Sequence, residues 1–365
     1  MDTIADPDIS FDEKGISNYY YSYLQGVEHN VKKGSEGRSH LEKIVERIKQ
    51  DGKGKPYDCI MGLSGGVDSS YVAYLCKQYG LRPLAVHFDN GWNSELAVKN
   101  IESMVNKCGF DLYTLVVDWE EFRDIQLAYI RASVVDIEVP TDHAIGAVLM
   151  KLALKHDIKY SLSGSNVYTE HVMPKSWIFN KGDHANLKDI HKKYGSKKIK
   201  TFPLNDTLLK KRVSWAGIQQ VNILNYVDYN KYDAKKTISE ELGWRDYGGK
   251  HYESLFTKFY QAHILPEKFK IDKRKAHLST LVFSNQLTKA EAVNELNQPL
   301  YAPEVFQMER DFFLKKLGLS AAEWDKIMAT PPRSHRDFEI EMPLDHHYKW
   351  IKPIKKVYRY FYPAK

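Results

Sequence analysis

The sequence predicts an α/β fold, a doubly wound parallel sheet followed by a mostly helical C-terminal region. Three observations carry that prediction. Between residues 58 and 165, short apolar runs alternate with amphipathic stretches, the pattern of strands joined by crossover helices. The first apolar run, CIMGL, ends in a glycine-rich loop, SGGVDSS at 64–70, that opens directly into a helical stretch. From residue 205 to 330 the apolar residues recur mostly at helical spacing.

Residues 1–56 form a polar N-terminal segment with one helix at 39–50, where Leu41, Ile44, Val45 and Ile48 share a face. GKGKPYD is a loop, and DCIMGL (58–63) is a buried strand. SSYVAYLCKQY (69–79) is a helix stopped by Gly80, and RPLAVHFD (82–89) is the second strand. The next helix, 94–108, has Ser94 as N-cap and Gly109 beyond its end. DLYTLVVD (111–118) is the third strand, and 119–132 is helical. Thr141 is placed to cap the helix DHAIGAVLMKLALKH, and KYSLSGS (159–165) is a fourth strand running into a loop. Residues 180–200 read as basic and loop-like. TKAEAVNEL and SAAEWDKIM, further on, are well-capped helices. The expected division is an N-terminal segment (1–56), a nucleotide-binding α/β domain (57–204) and a helical substrate or partner region (205–365).

Composition bounds the function classes. Of 365 residues, 43% are hydrophobic and 27% charged, an ordinary globular balance. The net charge of +6 suits an anionic substrate such as a nucleotide and does not demand nucleic acid. The three cysteines, Cys59, Cys76 and Cys108, form no CxxC pair, which argues against a disulfide framework and for a reduced compartment. The acidic start is unlike a signal peptide, and no apolar run approaches the ~18 residues of a membrane span. The expected location is the cytoplasm.

The loop at 64–70 is suited to phosphate. Gly65 and Gly66 let backbone N–H groups approach an anion, and the following helix points its positive end at the same spot. Ser64, Ser69 and Ser70 add hydroxyls, and Asp68 beside a phosphate calls for Mg²⁺ between them. The plain alternative is a Gly-Gly turn with a serine cap. The loop lacks the lysine and spacing of GxxxxGK[ST]. In parallel sheets ligands sit at the carboxyl ends of strands, so the loops after Leu63, Asp89 and Ser163 are expected to share one cleft.

SGGVDSS after a buried strand resembles the PP-loop of the N-type ATP pyrophosphatases, whose adenine nucleotide alpha-hydrolase-type fold the alternation above matches. The resemblance implies that ATP is cleaved between its α and β phosphates. It implies that Ser64, Gly65, Gly66, Asp68 and Ser69, with Ser70 beside them, cradle the pyrophosphate. It assigns adenine to His87, Phe88 and Asp89, and closure over the nucleotide to Ser163 and Gly164. A narrower set, DPDISFDEKGI, AVHFDNGWNSELAVKNI, VPTDHAI, SGSNVYTE and KIDKRKAHLS, is similar to the N-acetyl sugar amidotransferase family over residues 2 to beyond 290. That likeness implies an ATP-dependent, AMP-forming amidotransferase of lipopolysaccharide O-antigen and surface-sugar pathways. The acetamido group of a nucleotide-linked N-acetyl sugar would become an acetamidino group. The chain carries no visible glutaminase, so the resemblance implies ammonia from a separate partner, like the glutaminase and cyclase subunits of imidazole glycerol phosphate synthase. The family's N-terminal cysteine knuckle has its second pair at Ser17 and Tyr20 here, so no zinc is expected and the means of holding this segment is open.

Other polar residues are candidate helpers. PTDHAI offers Asp142, as a catalytic carboxylate or a helix cap, and His143 as a substrate contact. SNVYTEH offers Glu170, as a metal or ammonia-site carboxylate, and His171. Lys250, His251, Glu253 and Lys258, with Lys273, Arg274 and Lys275, supply cations and polar groups for phosphates and substrate. Of these, Lys258 is the candidate for catalysis and Lys250, His251 and Arg274 are the candidates for substrate, against the alternative of a solvated basic face. The basic aromatic tail at 346–361 raises weak contact with an anionic membrane surface as an alternative to a solvated tail. Rival readings are a tRNA-modifying PP-loop enzyme such as a thiolase, a non-catalytic nucleotide-binding module, and a GMP synthetase relative. The missing CxxC and thinly spread charge count against the first, so no nucleic-acid partner is expected.

Overall fold

A computed structural model describes residues 3–248 and 252–341 of the chain. Five strands form one parallel sheet: β1 (Cys59–Gly62), β2 (Pro83–Asp89), β3 (Asp111–Val116), β4 (Tyr160–Ser163) and β5 (Gln219–Asn222). Their order is β3-β2-β1-β4-β5. Cys59 stands opposite Pro83, Ile60 opposite Ser161, and Tyr160 opposite Gln219. The chain therefore builds outward from β1 in one direction and then from β4 in the other. The carboxyl ends of β1 and β4 flank the crevice at which such sheets bind ligands.

Strand periodicity explains the double winding. Cys59, Met61 and Leu63 pack on one face with Leu41, Val45, Val72, Ile101 and Met104. Ile60, Leu84 and Val86 pack on the other against Val148 and Leu152 of the helix Val139–Lys155. A third core, rich in rings, gathers Trp92, Phe122, Phe256, Phe259, Phe313 and Trp324, and so ties the C-terminal helices to the loop after β2.

Several expectations hold and others shift. The helix Glu95–Cys108 has Ser94 as its cap and left-handed Gly109 at its end. The helix Trp119–Ala132 and the capping boxes at Thr288 and Ser320 are also as expected. Thr141 is no cap: the helix starts two residues earlier at Val139, with Pro140 in its first turn, where a missing N–H costs nothing. Residues 180–200 are not all loop. Asp183 caps a helix His184–Tyr194 that buries only Leu187 and Ile190 among its apolar side chains, a stripe too thin to stand out among lysines. β5, polar and largely exposed, is a strand because β4 offers it an edge, not because its own residues favour one.

The N-terminal segment is held by hydrogen bonds where a knuckle would have needed thiolates. Ser17 precedes the helix Asn18–Asn30, which contains Tyr20. Asp6 is fully buried and accepts from the Tyr19 hydroxyl at 2.7 Å. Asp12 accepts from the backbone of Lys14 and Ile16 and from the Tyr21 hydroxyl. The Trp177 indole donates to the Ala5 carbonyl. Among the described residues no helix is long and apolar enough to cross a membrane.

Candidate active site

The loop after β1 is shaped by its two glycines. Gly65 has φ +84°, and a Cβ there would lie 2.8 Å from the Tyr247 hydroxyl, so both conformation and space require glycine. Its carbonyl accepts from the Trp244 indole and from the Tyr247 hydroxyl, each at 2.7 Å. Those two donors turn the carbonyl away from the anion side of the loop. Gly66 precedes the helix Val67–Gln78, and no side chain caps that helix end. Its first N–H groups are thus oriented as an anion site requires. The hydroxyls of Ser64 and Ser69 lie 3.1 Å apart. Ser69 and Ser70 both donate to the Gly66 carbonyl, at 3.1 and 2.7 Å; Ser70 is fully buried and braces the loop, whereas Ser69 is half-buried and keeps surface toward the loop.

Asp68 is oriented from below. The buried Tyr229 hydroxyl donates to its Oδ1 at 2.5 Å. Burial first, then Asp68 and the nearby Glu170 carboxylate, push the Tyr229 phenol well above its usual range. Two carboxylates, Asp68 and Glu170, therefore approach one phenol beside the loop. Glu170 ends the short helix Val167–Glu170, capped by Asn166. Gly164 closes the crevice from β4: a Cβ there would meet the Asp68 carbonyl carbon at 3.0 Å and the Asp68 Cβ at 3.1 Å. Ser163 turns its hydroxyl to the backbone of Ser165. Loop backbone, helix end and a fixed carboxylate are the donor set that a nucleotide phosphate with Mg²⁺ takes.

The end of β2 is built around His87. Its Nδ1–H donates to the Leu63 carbonyl at 3.1 Å, and its Nε2 faces the Asn93 amide. Burial lowers its pKa, against the raising effects of the Leu63 carbonyl and Asp89. Asn93 also donates to Asp89, so His87, Asn93 and Asp89 form one chain of contacts from the loop outward. Phe88 is buried in the aromatic core beside Phe122. Its ring faces the interior, leaving backbone as its means of touching a base.

A second polar group sits at the start of the helix Val139–Lys155, whose first turn reaches the same edge: the Asn90 amide lies 3.4 Å from the Thr141 hydroxyl. Lys181 bridges Asp136 at 2.7 Å and Asp142 at 3.1 Å. Glu138 faces Lys273 at 3.6 Å and Gln261 at 3.5 Å. The Asp142 side chain is 47% exposed, with Lys181 on its protein side. Burial pushes its carboxyl up, Glu138 and Asp136 add to that, and Lys181 opposes it. Sequence reasoning missed Lys181, because nothing in NKGDH marks one lysine among many.

His143 is not open to substrate. Its Nδ1–H donates to the Lys181 carbonyl at 2.9 Å and its Nε2 accepts from the Asn205 N–H at 2.8 Å. It serves to place Lys181. Lys258 pairs with Glu309 at 2.5 Å between the rings of Tyr252 and Tyr301, so its charge is matched within the C-terminal helices. Arg274 donates to Asp272 and to the carbonyls of Glu295, Leu296 and Gln298, closing the helix Lys289–Leu296. Its guanidinium is a helix-end anchor in place of the expected substrate contact. His171 meets the Ser22 hydroxyl at 3.0 Å. Glu253 lies against the loop, its Oε1 3.2 Å from where a Gly66 Cβ would be. Lys250, His251 and the tail at 346–361 lie outside the described residues.

Two family models match the chain. Residues 55–165 match asparagine synthase, and residues 253–355 match the LPS biosynthesis protein WbpG-like, C-terminal domain. A tRNA(Ile)-lysidine synthase of Chlamydia pneumoniae is 38% identical over 71 residues, 18% of this chain and 22% of that protein. This chain thus spans about a fifth of that curated relative. Among solved structures, an NH3-dependent NAD synthetase from Campylobacter jejuni is 16% identical with a TM-score of 0.31, covering 56% of this chain and 83% of that one. An NMN synthetase from Francisella tularensis gives 16% and 0.33, covering 71% and 97%. A glutamine-dependent NAD+ synthetase from Acinetobacter baumannii gives 16% and 0.34, covering 89% and 51%.

Proposed function

We propose, for a chain that belongs to an LPS-biosynthesis amidotransferase family of the PP-loop superfamily, that it converts the acetamido group of a nucleotide-linked N-acetyl sugar into an acetamidino group. The coarser activity, ATP-dependent C–N bond formation, follows from the family. The observation that carries the finer reading is the joining of a PP-loop to a WbpG-like C-terminal segment, with Glu253 of that segment against Gly66.

The acetamido oxygen attacks the α phosphorus of ATP and pyrophosphate leaves. Ammonia then attacks the imidate carbon, and the C–O bond breaks to release AMP. An amide carbonyl is a poor electrophile, and adenylation supplies the leaving group. The N–H groups of the helix turn after Gly66, with the Ser64 and Ser69 hydroxyls, are suited to hold the leaving pyrophosphate, while the Gly66 N–H fixes the Ser64 hydroxyl beside them. Mg²⁺, held through Asp68 with Glu170 nearby, would neutralise phosphate charge. Tyr229 fixes which way the Asp68 carboxylate faces. Asp142, its pKa raised, is the proposed proton acceptor as ammonia attacks, and Lys181 orients it. Ser163 and Gly164 limit water, which would return the amide. Ammonia is proposed to come from a separate glutaminase, and the cytoplasm is the proposed location. Residues 57–204 are proposed as the ATP-handling unit and 205–365 as the substrate and partner region.

The test is the nucleotide product. The protein is incubated with ATP, Mg²⁺, ammonium and a panel of diacetamido nucleotide sugars, and AMP is separated from ADP. AMP with one sugar only, and a product about one mass unit lighter from O replaced by NH, is the expected result. ADP and phosphate would overturn the adenylation. A second reading, a tRNA-modifying enzyme, is favoured by the 71-residue likeness to the lysidine synthase. AMP formation that ignores sugars and requires tRNA, with salt-sensitive RNA binding, would establish it.

A further inference from the structure

We propose that the cavity at the carboxyl ends of β2 and β3 is a second nucleotide site that takes the nucleoside diphosphate of the sugar substrate; this rests on the sugar-nucleotide reading above. The cavity holds about 510 Å³ and is walled by Asp89, Val116 and Trp119 on one side and Phe312, Lys315 and Lys316 on the other. That volume lies in the range of small-molecule sites, roughly 300–1,000 Å³. The first wall belongs to the segment matching asparagine synthase and the second to the WbpG-like segment, on the helix Pro303–Leu317. The cavity is therefore a seam between the ATP-handling sheet and the segment that distinguishes this family.

Its chemistry is that of a nucleotide binder. The Phe312 ring is 43% exposed and Val116 67% exposed, apolar surface left open at a strand end. Phe312 and the Trp119 indole offer faces for a base. Lys316 sits 4.9 Å over Trp119, 5.1 Å over Trp92 and 5.5 Å over Phe312, so its ammonium is fixed beside those rings. Lys315 is exposed next to it. Two lysines against the single Asp89 carboxylate leave the walls positive, as a diphosphate requires. Asp89 accepts at Oδ1 from the Gly91 N–H at 2.9 Å and from Asn93, which fixes its carboxylate at the boundary between this cavity and the end of β2 assigned to adenine. Burial lowers the Lys316 pKa and Asp89 raises it.

The position suits a two-substrate reaction. Asp89, Asn93 and His87 are linked in sequence, and His87 bonds the Leu63 carbonyl one residue before Ser64. A sugar attached to a diphosphate in this cavity would extend along the same edge toward the ATP loop.

The experiment is calorimetric titration of uridine diphosphate into the full chain saturated with a non-hydrolysable ATP analogue. Pyrophosphate serves as the base-free arm and ADP as the alternative-base arm. Expected are uridine diphosphate binding beside the analogue and a loss of about tenfold in Lys315→Ala, in Lys316→Met, which keeps the packing stem, and in Trp119→Ala. Affinity for the ATP analogue should stay unchanged. With the sugar substrate, the same variants should raise KM and leave kcat. Full competition between uridine diphosphate and the analogue, or undiminished affinity in both lysine variants, would overturn the site. Pyrophosphate binding as tightly as uridine diphosphate would reduce it to an anion site and also overturn it. If no sugar nucleotide elicits AMP, the sugar reading fails by itself, and the titration still decides the cavity.

Discussion

Two buried histidines make stability depend on pH in a window free of most carboxylate titration. His143 and His335 are both pushed down from 6.5 to about 4, chiefly by burial. The geometry says why. The Nε2 of His143 accepts from the Asn205 N–H, and the Nε2 of His335 accepts from the Asp136 N–H, so a proton on either nitrogen would face a donor. Both rings are neutral in the folded chain and charge in the unfolded one below 6.5. Their stabilisation is therefore complete above pH 6.5 and is lost as pH falls toward 4. At about 1.4 kcal/mol per unit, each histidine contributes at most ~3.4 kcal/mol, of which ~2 kcal/mol is gone by pH 5. The pair should lower the unfolding free energy by roughly 4 kcal/mol between pH 7.5 and 5. The raised carboxyl of Asp142 works in the opposite sense, stabilising the fold as pH falls, so Asp142→Asn should steepen the loss. Guanidinium denaturation at several pH values measures this. In His143→Gln the amide oxygen replaces the Nε2 acceptor without titrating, and the slope should fall; His87, His171 and His263, also lowered by burial, keep part of it. A flat profile in the parent chain, or an unchanged slope in the double glutamine variant, would refute the reasoning.

Other perturbations test the loop and its supports. Tyr229→Phe removes the donor that orients Asp68 and should raise the Mg²⁺ concentration needed for half-maximal activity by about 10- to 100-fold. Unchanged Mg²⁺ dependence would remove Tyr229 from the mechanism. Gly164→Ala places a Cβ 3.0 Å from the Asp68 carbonyl carbon, and kcat/KM for ATP should fall by up to about 100-fold with little loss of Tm. Wild-type kinetics would mean that the crevice is wider than the geometry says. Glu121 is pushed up by burial but held below its usual range by donors from Thr201, Lys200 and Phe202, so Glu121→Gln should cost about 2–3 kcal/mol of stability, read by denaturation.

What was legible in the sequence is what local rules dictate. CIMGL can only be a buried strand, and SGGVDSS needs the φ that Gly65 adopts, so sheet, loop and following helix could be read directly. Ser94, Thr288 and Ser320 announce helix starts because caps act within three residues. The residues that were not legible depend on distant partners. Lys181 is one lysine in a basic stretch until Asp136, Asp142 and the carbonyl contact of His143 gather around it from 38 to 45 positions away. Arg274 reads as a substrate cation, but its planar fork is better matched by Asp272 and three carbonyls at the end of the next helix. Ser70 reads as a third phosphate hydroxyl, yet the helical turn points it back at the Gly66 carbonyl. Charge and hydroxyl count can nominate such residues, but geometry apportions them between substrate and scaffold. The same logic favours Lys315 and Lys316 over the lysines of 192–200 as ligand contacts: they face a cavity with aromatic walls, whereas Lys193 and Lys197 already have Asp189 and Glu120 as partners.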